Sequence, residues 1–436
     1  MTVTVFRVTE RSEVALPSSD FFKDGALDID PAIGRQGYFD IRLHGNQIRL
    51  IAGHYIGIVP INSSLTLRIE PKVPIASIVG ILSGARETPE VIEKVQRTYT
   101  HDQGLDVLSL LVEALSNALV VLEEYGIPKD YSRQVNDVHG VRGKIRIGPT
   151  VTRNWAKGAY DVTNSEYFSF DRDSIINRSI LYTIWHVSRV LNNSVIALSA
   201  STATRISRAI DWFPTVGLDR RRSFLPSLKN LLVGGNLSTA RTHLKPLLQL
   251  CYMLLSDLGI DLESEAQEGV DLPALVINLE HAFQQFIIFG VQQRVRSAEG
   301  YACWNTTSEH KHAMFTSASP LVPSFVADVF NPKATADPDF VIVHDGEPSI
   351  VCDVKYKEET ERSDIYQAVA HSAAYGASDC MLVYPGGTVA SCECLGNVGN
   401  VRVFIYKFPL GDDSLAKSLE DLTRACEAIA ASSSIS

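Results

Sequence analysis

Two short apolar segments joined by a five-residue turn constrain the fold of the C-terminal third of this chain. The segments span 338–343 and 349–357, and the turn between them reads His-Asp-Gly-Glu-Pro at residues 344–348. Their length and composition predict two β-strands with a hairpin-like connection. The first predicted strand begins with an acid, Asp339, and the second ends with an Asp-x-Lys triplet.

The acids and the lysine of this hairpin have the pattern of a metal-dependent phosphodiesterase. Asp353 and Lys355 lie two residues apart on one strand, so their side chains point to the same face. Carboxylates from neighbouring strands, here Asp339 and Asp353, can hold Mg²⁺ and leave positions for water and phosphate. A lysine beside the cation stabilises charge at the phosphate. A surface hairpin with ordinary salt bridges is the alternative, because each short motif is common by chance.

Predicted helices flank the hairpin. The apolar spacing over 279–294 is typical of a largely buried amphipathic helix. A second helix opens at Asp364, with Ser363 as its predicted N-cap, and ends near Gly376. A third strand follows at 380–384. The order helix, strand, strand, helix, strand is the core order of the PD-(D/E)xK nuclease fold, so we expect a mixed sheet with helices packed on it.

With the segment Asp364-Ile365-Tyr366-Gln367, this region resembles the nuclease domain of the McrC family. Members of that family are the cleavage subunits of modification-dependent (5-methylcytosine) restriction systems. The resemblance extends into the N-terminal half of the chain. The further matching segments are Gly57–Val59 with Leu67–Val73, which is similar to the family's strand ending in Ile-x-Pro-Lys, and the middle-region signatures Gly143–Ile145 and Asp173–Arg178.

The resemblance implies a metal-dependent endodeoxyribonuclease that uses Mg²⁺, with Mn²⁺ as an alternative ion. Asp339 and Asp353 would hold the metal, and the backbone carbonyl of Val354 would be a further ligand. Lys355 would position or activate the nucleophile. Gln367 would orient the water or the phosphate, although an ordinary polar helix residue is the competing interpretation. Two tyrosines next to these residues, Tyr356 and Tyr366, are expected to be packing residues.

One position departs from the family pattern. The helix before the first strand often carries Leu-Phe-Glu in this family, and its glutamate can join the metal site. The matching residues here are Ala282-Phe283-Gln284, so an amide replaces the acid. Glu280, four residues earlier, is either a substitute ligand or a solvated charge. A full set of metal ligands is therefore not assumed.

The formal net charge of −10 argues against independent binding to DNA. Free-standing DNA-binding proteins usually present a basic face to the phosphates. Delivery to DNA by a partner fits an acidic nuclease better, and solvated surface charge is the competing interpretation of each local basic residue. The candidate contacts to DNA or to a partner are Arg142, Lys144, Arg146, Arg153, Lys157 and, after the Asp-x-Lys triplet, Lys357.

The partners follow from the resemblance alone. In the McrC family the N-terminal part reaches into the central pore of a ring of AAA+ GTPase subunits and stimulates hydrolysis. The resemblance therefore implies a McrB-like AAA+ GTPase hexamer and double-stranded modified DNA as partners, with residues 142–157 as the expected contact. The chain has no G-x-x-x-x-G-K-[ST] motif, so we do not expect it to hydrolyse GTP alone.

The predicted organisation is an α+β or α/β multidomain chain. Residues 1–100 form a β-rich domain with a meander over 37–72. Residues 101–265 form a mainly helical region with a β-hairpin-like insertion near 141–160, and residues 266–436 form the endonuclease domain. The helices predicted in the middle region are Leu105–Tyr125, Ser174–Leu191, Leu225–Leu232 and Thr239–Leu258, the last with Pro246 inside it.

Other features bear on the compartment. No run of about 18 uncharged apolar residues occurs, so a membrane-spanning helix is not expected. The N-terminus lacks the basic-then-apolar layout of a signal peptide. Seven cysteines at scattered spacing favour reduced thiols. These observations predict a cytoplasmic protein without a membrane partner.

Two other functions remain open at this stage. The chain could be mainly a structural adaptor that activates a motor ring and has a weakened nuclease site. The amide at position 284 and the acidic net charge favour that hypothesis, whereas the intact Asp-x-Lys opposes it. A stand-alone repair nuclease of the same fold is the other alternative, and it predicts cleavage by the purified chain without any NTPase.

Overall fold

The structure is a computed structural model in which helices and strands are mixed along the whole chain. The described residues are 4–23, 26–29, 33, 37–44, 47–62, 64–82, 107–193, 198–233, 237, 239–256, 275–306, 310–314, 335–411 and 415–433. None of the helices in these ranges combines the length and the apolar character that crossing a bilayer requires.

The described residues of the N-terminal part contain eight short strands. The strands predicted over 37–72 are confirmed, but the predicted meander is wrong, because they form two antiparallel pairs in separate sheets, with the orders β2-β6-β5 and β1-β8-β7. The strands are β1 (Thr4–Thr9), β2 (Glu13–Pro17), β3 (Phe22–Lys23), β4 (Ala26–Leu27), β5 (Phe39–His44), β6 (Gln47–Ala52), β7 (Tyr55–Pro60) and β8 (Leu65–Glu70).

Seven α-helices of six or more residues follow in the described part of the chain between residues 75 and 256. They are α1 (Ile75–Leu82), α2 (Val107–Ala118), α3 (Val120–Tyr125), α4 (Ile175–Asn193), α5 (Ala200–Ala209), α6 (Leu225–Val233) and α7 (Lys245–Ser256). The sequence missed α5, whose polar surface residues weaken the apolar pattern. The helix predicted over 105–125 is interrupted at Leu119, and Leu105 and Leu258 lie outside the described residues.

Pro246 divides the predicted helix 239–258, as anticipated. A 3-10 segment runs over Thr239–Leu244, and α7 then begins at Lys245. Proline is accepted there because the first turn of a helix needs no intrahelical N–H bond. The proline therefore marks the start of the α-helix, with no kink inside it.

A long hairpin projects from the middle region, and we call residues 130–171 the arm. Its strands β9 (Asp130–His139), β10 (Lys144–Ile145) and β11 (Val162–Asp171) form an antiparallel sheet of order β10-β11-β9. The insertion predicted near 141–160 is thus the distal part of a larger unit, and residues 147–157 form helical turns. The exposed apolar side chains of the arm are Tyr131, Val135, Val141, Ile147, Val151, Trp155, Tyr160, Phe168 and Phe170.

The C-terminal region contains a six-stranded mixed sheet of order β13-β16-β17-β18-β20-β19. Strands β17, β18 and β20 are parallel, whereas β13, β16 and β19 pair antiparallel with their neighbours. The strands from 275 onward are β12 (Leu275–Asn278), β13 (Tyr301–Asn305), β14 (His312–Ala313), β15 (Thr335–Ala336), β16 (Phe340–His344), β17 (Glu347–Val354), β18 (Asp379–Pro385), β19 (Ser391–Val398) and β20 (Val401–Phe408).

In the described part of this region, three helices cover the sheet. Helices α8 (Leu279–Gln292) and α10 (Leu415–Ser433) pack on one face, and α9 (Arg362–Tyr375) packs on the other. The face under α8 and α10 belongs to a continuous apolar core that also contains the middle-region helices. Strand β12, which the sequence placed with the nuclease region, instead pairs with β7 of the N-terminal sheet.

The hairpin predicted over residues 338–357 is confirmed. Strands β16 and β17 are antiparallel and are joined at Asp345-Gly346, which have φ angles of +50° and +87°. Two consecutive residues with positive φ are what a tight hairpin turn requires, and Asp-Gly supplies them.

The predicted N-cap Ser363 is wrong. Helix α9 begins two residues earlier than predicted, at Arg362, with Glu361 as its N-cap, and the backbone N–H of Glu361 donates to Asp364 Oδ2 at 3.1 Å.

Candidate active site

Asp339 and Asp353 face each other across the β16–β17 pair. The N–H of Asp339 donates to the carbonyl of Cys352 at 3.1 Å, and Phe340 is paired in register with Cys352. Asp339 is therefore opposite Asp353, and opposed residues of an antiparallel pair point to the same face. Both side chains are buried, with exposed fractions of 8% and 1%. The hairpin thus brings the two predicted metal ligands together.

The carboxyl group of Asp339 is in an unfavourable environment for its negative charge. Burial raises its pKa to about 7, and the neighbouring charge of Asp353 adds to that rise. The backbone N–H of Val354 opposes the rise by donating to Asp339 Oδ2 at 2.5 Å. Two acids crowded in one buried place are typical of a site for a cation.

Gln284, at the position that departs from the family pattern, reaches this site. Its side-chain Nε2 donates to Asp339 Oδ1. Glu280 does not take the place of the missing acid, because its carboxylate lies 3.2 Å from His54 Nδ1 and is 44% exposed. The solvated interpretation of Glu280 therefore agrees with the structure.

Lys355 lies just beyond β17 and is held in place from two sides. Its backbone N–H donates to the carbonyl of Val383 at 2.8 Å, so extended pairing with β18 continues past Val354. Its Nζ donates to Gln367 Oε1 at 3.1 Å. The predicted lysine and the predicted helix glutamine are thus in direct contact.

Lys357 is engaged within the protein. Its Nζ lies 2.7 Å from Asp364 Oδ2 and 3.3 Å from Glu361 Oε2. The sequence placed Lys357 on the same strand face as Lys355, but β17 ends at Val354. Its contact with DNA stays a prediction, and in this structure its ammonium fixes the start of α9.

Sequence reasoning missed His371, which is 5% exposed. Its Nδ1 lies 3.4 Å from Asp353 Oδ2. His371 follows Gln367 by four residues on α9, so both lie on one face of the helix. The sequence signal was a pair of matched spacings. Residues 364, 367 and 371 lie on successive turns of α9, and they contact residues 357, 355 and 353, which alternate along the extended segment. Successive turns of α9 therefore meet alternate residues of β17 and its extension.

The two tyrosines behave differently. Tyr356 is buried, and its ring packs 5.8 Å from that of Phe283, so the packing interpretation is confirmed. Its hydroxyl donates to Glu10 Oε1 at 3.2 Å. Tyr366 is 67% exposed, so the expectation that it packs is wrong. Residue 366 points away from the sheet because the inward face of α9 is formed by Ile365, Ala368 and Val369.

The Ile-x-Pro-Lys segment, residues 69–72, contacts the segment that follows Lys355. Lys72 Nζ lies 2.9 Å from Glu358 Oε1, and the N–H of Lys72 donates to Glu10 Oε1 at 2.9 Å. Glu10 also accepts the hydroxyl of Tyr356, and its burial raises its pKa. The N-terminal sheets are therefore connected to the segment that follows the candidate active site.

The two middle-region signatures shape the arm. Gly143 has a φ of +69°, and a Cβ there would collide with the carbonyl oxygen of Glu166, so only glycine fits this approach of two strands. Arg178 makes two hydrogen bonds of 2.7 Å to Asp173. Asn177 donates to the carbonyl of Pro128 at 2.8 Å, next to the start of β9. The signatures thus fix a turn in the arm and its base.

The structure places five of the predicted basic contacts on the arm, on a different sheet from Asp339 and Asp353. Arg142 covers the ring of Tyr167, with its Cζ 4.1 Å from the ring centre. The remaining residues of this exposed basic group are Lys144, Arg146, Arg153 and Lys157.

The donors present fit a hard cation that keeps part of its water shell. Within the described residues, no group of three or more His, Cys, Asp or Glu side chains could hold a metal ion. The candidate side-chain donors are therefore the carboxylates of Asp339 and Asp353, and the carbonyl of Val354 stays a predicted third ligand. Mg²⁺ is commonly bound through one or two carboxylates and retains several waters. Asp353 Oδ2 is buried and has no hydrogen-bond partner in the described part, so it lacks the polar partner that a buried oxygen normally has.

Comparison with known proteins gave one family and several solved structures. The model of the family described as McrBC 5-methylcytosine restriction system component matches residues 50–385. A chain of the refined half-complex of Thermococcus gammatolerans McrB AAA+ hexamers with bound McrC, from a tetradecameric assembly, is 12% identical with a TM-score of 0.53. That match covers 98% of this chain and 100% of the other, and at this identity it establishes similarity of fold.

A second solved structure, the cryo-EM structure of the Thermococcus gammatolerans McrBC complex, is 13% identical over 66% of this chain and 86% of its own, with a TM-score of 0.36. No curated protein matches the sequence significantly.

Proposed function

This chain belongs to the family of McrBC 5-methylcytosine restriction system components, and from that premise we propose that it is the DNA-cleaving subunit of such a system. The proposed activity is Mg²⁺-dependent hydrolysis of DNA phosphodiesters, by a domain of the PD-(D/E)xK superfamily. Restriction of modified invading DNA, in the cytoplasm, is the proposed biological role.

The order of elements around the site supports the nuclease assignment. Helix α8 is followed by the hairpin β16–β17, then by α9 and the parallel strand β18. This is the order that the sequence predicted for a PD-(D/E)xK core, with β13 as an additional edge strand. Asp339, Asp353 and Lys355 lie at the open end of the hairpin, where its second strand contacts α9.

One observation carries the proposal: Asp339 and Asp353 are opposed across the hairpin, buried, and close enough for the charge of Asp353 to raise the pKa of Asp339. Burying two like charges side by side is unfavourable unless a cation compensates them. A purely structural hairpin gains nothing from that arrangement. The electrostatic cost of burying both carboxylates is consistent with a site that is completed by a bound cation.

The residues present suggest how cleavage proceeds. A bound Mg²⁺ supplies Lewis-acid stabilisation at the scissile phosphate and activates the attacking water. Asp339, Asp353 and the carbonyl of Val354 would hold it. The ammonium of Lys355 faces the same side and would stabilise negative charge that develops on the phosphate. Gln367 accepts a hydrogen bond from Lys355 Nζ and so restricts where that ammonium can go.

We propose a McrB-like AAA+ GTPase hexamer as the partner and the arm as the contact. The arm presents exposed apolar side chains beside exposed basic ones, and exposed apolar patches commonly mark protein interfaces. The chain also has the fold, over nearly its whole length, of a chain in a complex of McrB hexamers with McrC. With a net charge of −10, the subunit would depend on that partner to reach double-stranded modified DNA.

A second candidate function is an adaptor that activates the motor while its own nuclease site is weakened. It is favoured by Gln284, which occupies the position of an acid, and by the protein donors that already engage both oxygens of Asp339. Lys355 and Asp353, which keep the Asp-x-Lys arrangement, oppose it.

Cleavage by the reconstituted complex distinguishes the two functions. Methylated plasmid is incubated with this chain, a McrB-like hexamer, GTP and Mg²⁺, and the products are separated on a gel. The nuclease proposal predicts cutting that stops with chelator and with Asp353→Asn or Lys355→Ala, while GTPase stimulation persists in both variants. The adaptor proposal predicts stimulated GTP hydrolysis without cutting by the wild-type protein. Cutting by the chain alone would instead indicate a stand-alone nuclease.

A further inference from the structure

Two buried polar atoms face each other beside the proposed metal site without forming a hydrogen bond. Asp353 Oδ2 and His371 Nδ1 are 3.4 Å apart, a few tenths of an ångström longer than a good hydrogen bond. Neither atom has a hydrogen-bond partner among the described residues. Buried polar atoms are nearly always paired, so an unpaired couple at this separation requires an explanation.

His371 is held firmly where it can act on Asp353. The next residue, Ser372, donates from its hydroxyl to the carbonyl of Asp379 at 3.2 Å, which fixes this turn of α9 to the start of β18. At the other end of the helix, Asp364 is bound by Lys357 at 2.7 Å. Small changes in side-chain torsion, without movement of α9, would bring the two atoms into hydrogen-bonding distance.

On the basis of the proposed nuclease function, we propose that His371 is a positioning residue for the metal ligand Asp353. Its Nδ1–H donates to Asp353 Oδ2, which fixes the carboxylate and leaves Oδ1 directed at the cation. A histidine that carries its proton on Nδ1 makes this bond in its neutral form, so the inference requires no change of charge. Groups that orient a metal ligand through a hydrogen bond commonly contribute strongly to metal affinity.

Direct ligation by His371 is the competing possibility, and the geometry opposes it. In the described residues, Asp339, Asp353 and His371 do not form a group of three that could hold one ion. Imidazole also suits Zn²⁺ and other transition metals better than Mg²⁺, whose preferred ligands are oxygens. The acids and the Val354 carbonyl supply oxygen.

Three substitutions at one position test the hydrogen bond. His371→Leu removes the donor and keeps an apolar side chain of similar bulk. His371→Asn places an amide N–H where Nδ1 stands, and the matched control His371→Gln places its amide near the position of Nε2. The full-length variants are titrated with Mg²⁺ alone in a calorimeter, and their melting temperatures are compared in chelator and in excess Mg²⁺.

We expect His371→Leu and His371→Gln to weaken Mg²⁺ binding about 10- to 100-fold, and His371→Asn to stay within about threefold of the wild type. Melting in chelator should be similar for all four proteins, which shows that each variant folds. Binding that is unchanged in His371→Leu would overturn the inference. Equal losses in His371→Leu and His371→Asn would also overturn it, because that result would assign His371 a role other than donation from Nδ1.

A parallel titration of Asp353→Asn separates this inference from the proposed function. If that variant binds Mg²⁺ as the wild type does, the proposed metal site itself is wrong. If it loses Mg²⁺ while every His371 variant binds normally, the metal site stands and only the role of His371 is wrong.

Discussion

The side-chain amide of Gln284 donates to Asp339 Oδ1, so the residue that replaces the family's glutamate touches a proposed metal ligand. An amide neighbour stabilises the ionised form of Asp339 by donating a hydrogen bond to it. A glutamate in the same place would instead add a third negative charge. This position therefore determines how the site behaves with and without a cation.

Replacing Gln284 with glutamate should change metal binding and stability in opposite directions. A third carboxylate adds an oxygen ligand, so we expect Gln284→Glu to tighten Mg²⁺ binding roughly tenfold in calorimetric titrations. Without metal, the added repulsion should lower the melting temperature by several degrees. Gln284→Ala is the control, because it removes the hydrogen bond without adding charge. Mg²⁺ binding by Gln284→Glu that is equal to or weaker than that of Gln284→Ala would contradict the prediction.

The stability of the metal-free chain should fall as the pH rises from about 4 to about 7. Asp339 has an ordinary pKa of 3.8 in the unfolded chain and about 7 in the folded one. The folded state therefore holds a proton in this window that the unfolded state has released, and stability is lost as the pH rises through the folded pKa. Loss of that proton costs on the order of 4 kcal/mol.

Urea unfolding in chelator at pH 5 and pH 8 measures this effect. Asp339→Asn is the control, because an amide does not titrate, and it should show the smaller difference between the two pH values. Excess Mg²⁺ should also reduce the difference in the wild-type protein, since the cation replaces the proton. Equal pH dependence in the wild type and in Asp339→Asn would show that Asp339 is not the group responsible.

Gln367 should matter less for cleavage than the lysine it contacts. Lys355→Ala removes the ammonium at the phosphate, and we expect a loss of about 100-fold or more in the cleavage rate of the complex. Gln367→Ala leaves the ammonium present but free to move, so a loss of about tenfold is expected. Single-turnover cleavage of a methylated duplex gives both rates. A wild-type rate in Gln367→Ala would support the interpretation of Gln367 as an ordinary polar helix residue.

Charge reversal on the arm should abolish activation of the partner without affecting the fold. Arg142, Lys144 and Arg146 are exposed, so changing all three to glutamate should alter the free energy of unfolding little. Stimulation of GTP hydrolysis by a McrB-like hexamer should fall at least tenfold if these cations meet the partner. A matched triple reversal at the exposed residues Arg208, Lys229 and Lys245, outside the arm, should retain stimulation. Equal effects of the two triple variants would indicate a general charge effect.

Short sequence patterns predicted the elements whose buried residues are recognisable within a single segment of the chain. The hairpin β16–β17 was predictable from two apolar runs and an Asp-Gly turn, and α8 from the spacing of its apolar residues. The pairing of Asp339 with Asp353 then followed from the hairpin itself. These features depend on residues close together in the chain.

The remaining features depend on contacts between distant segments. Strands β9 and β11 have no buried apolar face along most of their length, so their sequences show little alternation of apolar and polar residues. They are strands because they pair with each other. His371 acquires a role only because α9 packs against β17, which brings it within 3.4 Å of Asp353. The same packing determines that Tyr366 is exposed, as its sequence position alone could not show.

The central claim is that Asp339 and Asp353 hold one divalent cation between them. Crystals of the chain grown with Mn²⁺, which substitutes for Mg²⁺ and scatters anomalously, test it directly at the manganese absorption edge. The account predicts one anomalous peak within about 2.5 Å of carboxylate oxygens of both residues, and its absence in crystals of Asp353→Asn. A well-ordered site with no peak there, or a peak held by other residues, would contradict it.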